Sequence, residues 1–146
     1  MGIFSDIFQG EGSPSSFNNE ESLLGLVIAI VAADGEIDDD EFRDVQSLVS
    51  KSRTFANSSQ NFSEIVDKVF KVLKRDGVDH LVDLSINGLN DDIKEPLFIT
   101  LVDLAYSDGS IAKSEEKILE RIQNELKIDQ KKAIEYVKLM TLKNSI

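Results

Sequence analysis

The sequence predicts an all-α protein: a single compact helical domain of about seven helices, containing two helix–corner–helix units related by a pseudo-twofold. Three observations predict it. Apolar residues recur at helical spacing from Glu20 almost to the last residue. No stretch alternates apolar and polar residues between turn signals, as a half-buried strand would. The phrase Asp-Gly-x-Ile-x-x-x-Glu stands twice, at Asp34–Glu41 and Asp108–Glu115, each time between two helical stripes.

Taken in order, residues 1–19 form an amphipathic stub and a flexible linker. "MGIFSDIF" places Ile3, Phe4, Ile7 and Phe8 on one helical stripe, suited to docking on the protein's own core or on a partner; its own core is favoured because no basic residue would hold the stub at an anionic membrane. "QGEGSPSSFNN" is linker composition. The helical domain spans residues 20–146. Leu23–Ala33 is apolar on every side, which marks a helix buried in the middle of the domain. Asp38, three residues before Glu41, is an acidic capping box that opens the next helix, with Phe42, Val45, Leu48 and Val49 as its core side. "NSSQN" is a loop. Ser63 caps a helix carrying Ile65, Val66, Val69, Phe70 and Leu73, and Gly77 closes it.

A shorter helix covers Asp79–Leu89. Asp91 or Asp92 caps the next, with Pro96 in its first turn or just beyond. Leu97, Phe98, Leu101 and Val102 lead that helix to the second Asp-Gly, after which Ile111, Ile118, Leu119, Ile122 and Leu126 form another core stripe. Asp129 caps a last helix, with Ile128 and Ala133 as a hydrophobic staple and Tyr136, Val137 and Met140 on its inner face.

Composition excludes several functions. Without cysteine there are no disulfides, zinc–thiolate sites or cysteine nucleophiles. A single histidine, His80, rules out a multi-histidine metal site, and nothing around it suggests a hydrolase triad. The net charge of −11 is uneven: residues 1–42 hold ten acids and no lysine or arginine, whereas the remainder holds seventeen acids against sixteen bases. Such a field repels phosphate backbones, so no nucleic-acid partner is expected; cations or basic protein surfaces suit it better. The longest apolar run has eleven residues against the roughly twenty that span a bilayer. The N-terminal residues lack a secretory pattern, and Asp6 stands where a myristoylation signal needs Ser or Thr. The expected location is cytoplasmic.

At an offset of 74 residues, Leu23 falls on Leu97, Val27 on Leu101, Ile30 on Leu104, Val45 on Leu119 and Leu48 on Ile122. Each residue of the shared phrase has a structural task. Glycine supplies the positive φ that ends the first helix, and isoleucine pins the corner to the core. Aspartate bonds turn N–H groups, and glutamate sits where the helix dipole favours negative charge. The spacing also matches the second half of an EF-hand loop, with Asp at position 5, Gly at 6 and Glu at 12. Positions 1 and 3 would be Ile30 and Ala32 in the first copy, and Leu104 and Tyr106 in the second; none ligates through its side chain. A high-affinity EF-hand is excluded, and a weak cation site stays open.

"AADGEIDDDE" paired with "YSDGSIAKSEEKILERIQNELKIDQKKA", after a short "MGIF" lead-in, resembles the tellurite-resistance TerB family over roughly residues 20–140. The resemblance implies an all-helical, non-enzymatic bacterial stress-response protein. It also implies a divalent cation such as calcium or magnesium held by the motif acids, and protein partners, among them other Ter-type proteins at the membrane. Carried over by position, those acids are Asp34, Glu41, Asp108 and Glu115. Asp38 joins them because the first copy is richer, with Asp38, Asp39 and Asp40 where the second has Ala112, Lys113 and Ser114. The wider TerB-like group includes a domain of a DnaJ-type co-chaperone. The alternative is therefore an interaction domain of adaptor type that binds no ion, its acids serving only as caps and corners.

Overall fold

A helix that is apolar on every side must be surrounded, and α1 (Asn19–Val31) is: every residue from Glu21 to Ile30 is buried. The computed structural model describes residues 16–34 and 36–146, and the described residues form seven helices and no strand. After α1 come α2 (Asp39–Ser50), α3 (Arg53–Ala56), α4 (Phe62–Gly88), α5 (Asp91–Ala105), α6 (Lys113–Glu125) and α7 (Gln130–Lys143). α4 wraps α1 most extensively, and α2, α3, α5 and α6 touch it as well. α7 lies on the outside, against α5. The all-α expectation holds.

The N-terminal end of α1 is fixed by polar contacts that make its burial tolerable. Asn18 Oδ1 accepts from Glu21 N–H at 2.9 Å, and Glu21 Oε1 accepts from Asn18 N–H at 2.8 Å, a reciprocal capping box. The buried Glu21 carboxylate is paired with Lys68 from α4 at 3.0 Å, so its charge is not left uncompensated. Lys68 Nζ also lies 5.7 Å from the centre of the buried Phe17 ring. Phe17 and Asn18, at the end of the segment read as linker, thus pack on α1 and α4. The stub at Ile3, Phe4, Ile7 and Phe8 lies outside the described residues.

Against α4 the approach is close enough to require missing side chains. A Cβ on Gly25 would stand 2.1 Å from Ser85 Oγ, and one on Gly88 would stand 2.2 Å from Ser22 Oγ and 2.4 Å from the Phe17 carbonyl oxygen. Glycine on each helix therefore faces serine on the other. The Ser22 and Ser85 hydroxyls are buried in this seam without a hydrogen-bond partner among the described residues.

Several local expectations need correcting. Asn61, not Ser63, caps α4, its Oδ1 accepting from Ser63 N–H at 2.9 Å. Gly77, at φ 87° and ψ 176°, does break the helix, but the chain resumes helix at once, so the predicted Asp79–Leu89 helix is the second arm of a kinked α4. Asn90, not Asp91 or Asp92, stands at the cap of α5. The one-turn α3, capped by the Ser52 hydroxyl, falls between the predicted elements. Asp38 caps α2 as expected, and Asp129 stands at the N-cap position of α7 without a side-chain bond to the helix N–H groups. In α2, Val45 and Val49 are buried, Phe42 is half-buried with its ring edge-on to Phe70 at 5.4 Å, and Leu48 is 39% exposed. Leu48 is thus no core residue. Among the described residues, no helix is long and apolar enough to cross a membrane.

Candidate acidic corner site

Each corner is built from the residues that end one helix and start the next. In the first, α1 stops at Val31 because the chain turns through Ala32, whose N–H bonds back to the Ile28 carbonyl at 2.8 Å. Asp34 Oδ1 then accepts from Glu36 N–H at 3.0 Å, an aspartate turn that steers the chain into α2. Asp38 Oδ1 accepts from Glu41 N–H at 2.7 Å while Glu41 Oε1 accepts from Asp38 N–H at 3.1 Å, completing the box. Gly35 lies outside the described residues.

The second corner uses the same plan with fewer polar groups. Gly109 takes φ 84°, the left-handed geometry expected of it, and its N–H bonds the Tyr106 carbonyl at 2.9 Å. Glu115 Oε1 reaches back to Ala112 N–H at 3.3 Å. Ala112 has no side-chain acceptor to return the bond, so only half of the box exists. Ile37 and Ile111 are half-buried against the core, pinning the two corners as expected.

The fold brings the corners together. Asp34, Glu41, Asp108 and Glu115 line a single cleft of about 310 Å³, between walls contributed by Val31, Val45 and Leu104. Four of the five acids singled out from the sequence therefore share one space. Asp38 does not line it; its carboxylate is engaged in the cap of α2. Asp44 lines the cleft and was missed by sequence reasoning, although its place three residues after Glu41 puts it on the same helix face. Ser107 and Ser114 add hydroxyls at the rim.

Glu115 feels the other three charges. Partial burial pushes its carboxyl above the usual glutamate range, and Asp108, Glu41 and Asp34 push it further. The bond from Ala112 N–H opposes the rise without cancelling it. Two of the three charges acting on Glu115 come from the other corner, over seventy residues away in sequence. Such a concave lining, whose charged groups are all acidic, offers hard oxygen donors and no basic side chain. It suits a hard cation or a basic side chain from outside. The carboxylates are spread around the cleft, and no three of them form a ready-made metal cluster among the described residues. Asp34 and Asp108 are exposed.

The chain matches one protein-family model, described as tellurite resistance protein TerB, over residues 20–137. No curated protein and no solved structure matches it.

Proposed function

Since the chain belongs to the TerB family, we propose that it is a non-enzymatic stress-response protein of tellurite-resistance type. In this reading it binds a divalent cation weakly at the shared acidic cleft and docks to partner proteins. The observation that carries it is the meeting of Asp34 and Glu41 with Asp108 and Glu115 around one space. The donor set fits a hard ion such as calcium or magnesium: carboxylates, with serine hydroxyls nearby and no sulfur or imidazole. Those four carboxylates would hold the ion. A bound cation would also relieve the repulsion that lifts the Glu115 carboxyl. Weak binding follows from the absence of ligating side chains at Ile30, Ala32, Leu104 and Tyr106, where an EF-hand would place its first donors. The shared cleft supports a pseudo-twofold relation between α1–α2 and α5–α6. The surplus of acids over bases makes a basic protein surface the favoured partner, other Ter-type proteins included, in a cytoplasmic setting.

A second reading rests on a different observation. Asp34, Asp38, Glu41 and Glu115 all accept backbone hydrogen bonds, so each has a structural task without any ion. An adaptor whose acids only shape corners would use them this way. Titrating the metal-stripped full chain with calcium, magnesium, manganese and zinc separates the two, with backbone amide shifts as readout. Saturable shifts at Ser107–Ala112 and Glu36–Glu41, both lost in Asp108→Asn, support the cation site. An ion at ten times its Kd would add about 1.4 kcal/mol of stability. Flat spectra into the millimolar range would support the adaptor.

A further inference from the structure

Among the described residues, large apolar side chains are exposed at Leu48, at Ile146 and at three places on one helix, α7: Ile134, Leu139 and Leu142 are 47%, 56% and 70% exposed. α7 gives the core little in return, since Ala133 is its one buried residue. The same region reverses the charge of the molecule. Residues 126–146 carry five lysines against two acids, Asp129 and Glu135, while the rest of the chain carries eleven bases against twenty-five acids. Lys132 and Lys143 turn to α5, where they pair with Glu95 at 3.3 Å and Asp103 at 2.9 Å. Lys127, Lys131 and Lys138 are exposed and join no ion pair among the described residues.

We propose that the outward face of α7 lies on an anionic lipid surface, its lysines at the headgroup phosphates and Ile134, Leu139 and Leu142 at the boundary of the acyl chains. The order of the side chains favours lipid over a protein groove. Lys131, Ile134, Lys138 and Leu142 follow at i, i+3, i+7 and i+11, so ammonium groups and apolar side chains alternate along one line of the helix. A dry protein groove that took Ile134 and Leu142 would have to strip water from the lysines between them. At a lipid interface the lysine stems lie among the apolar side chains, and the ammonium groups rise to the phosphates. The same face of a second copy suits less well, because lysines would meet lysines. Glu135 stands on this side too, and the three unpaired lysines outnumber it. The charge separation also sets the orientation, since an anionic surface attracts α7 and repels the acidic remainder. That repulsion fades within about 10 Å in about 0.1 M salt, so it turns the acidic bulk away while α7 keeps its contact. This inference is independent of the acidic corners.

Because the chain has no tryptophan, Leu142→Trp places a single reporter on this face. In the full-length protein its emission is expected to shift to the blue on vesicles of equal parts phosphatidylglycerol and phosphatidylcholine, and to stay unchanged on phosphatidylcholine alone. Lys131→Gln with Lys138→Gln should weaken co-sedimentation with the mixed vesicles about 30-fold. Leu139→Ser with Leu142→Ser, at exposed positions that leave the core intact, should weaken it as well. Lys71→Gln with Lys74→Gln, an equal change of charge at exposed positions on α4, should have little effect. No binding to the mixed vesicles would overturn the proposal. So would an equal loss from the α4 pair, which would make the attraction one of overall charge. A blue shift that grows with protein concentration in the absence of lipid would also overturn it, by showing that a second copy covers the face.

Discussion

The two corners share a phrase but not a burden. At the first, aspartate and glutamate cap each other's N–H groups, and Asp34 holds a turn of its own. At the second, Ala112 cannot return the bond from Glu115, and a left-handed glycine carries the turn instead. The first corner is the better fastened. The second holds Glu115, whose carboxyl burial and three acids push upward. The repeat thus supplies one geometry, and its divergence changes the fastening: the first corner is held by reciprocal side-chain caps, the second by a glycine turn and half a box.

That contrast can be broken most forcefully at the glycine. Gly109→Ala forces an L-residue to φ 84° and should destabilise the protein by about 1–2 kcal/mol, measured by urea unfolding. Next comes the cap. Asp38→Ala removes the acceptor for Glu41 N–H and should lower stability by about 1 kcal/mol in the same assay. The converse change, Ala112→Ser, supplies the half-box that the second corner lacks and should gain about 0.5 kcal/mol. If both cap changes left stability untouched, the distinction between the corners would lose its energetic basis.

The smallest effect is a change in pH dependence. A carboxyl whose folded-state pKa is raised binds its proton more tightly in the folded protein than in the unfolded one. Its favourable contribution is present below the ordinary glutamate pKa and is lost as pH rises through the raised folded-state value. At neutral pH, ionised Glu115 therefore opposes folding. Glu115→Gln keeps an oxygen for the Ala112 N–H and removes the charge, so in metal-free buffer it should raise Tm near neutrality. The gain should vanish in acid, where Glu115 is protonated.

Much of this architecture was legible in the sequence. The Leu23–Ala33 run announced the central helix because eleven apolar residues exceed the usual length of a buried strand, and its alanines and the Gly35 stop favour helix. Asp38 with Glu41 announced a cap because the reciprocal bonds need only a three-residue spacing. Other features depend on partners distant in sequence. The seam of Gly25 against Ser85 and Gly88 against Ser22 is set by how closely α1 and α4 approach, which neither helix encodes alone. The cap of α4 was misplaced by two residues because Asn61 and Ser63 have equally suitable side chains. Leu48 follows the helical stripe of its neighbours, yet it lies at the margin of that stripe and faces an open groove rather than the core. The acids of the site could be named from the repeated phrase, but their convergence could not. It arises from the packing of α1–α2 beside α5–α6, which also turns the helix face shared by Glu41 and Asp44 toward the cleft.

The most direct test is the carboxyl titration of Glu115, followed by NMR in metal-free protein and repeated with Asp34→Asn. If the two corners form one electrostatic site, Glu115 titrates above the usual glutamate range and moves down when Asp34, in the other corner, loses its charge. An unshifted Glu115, or one indifferent to Asp34→Asn, would show that the corners stand apart and that the shared cleft is not a single site.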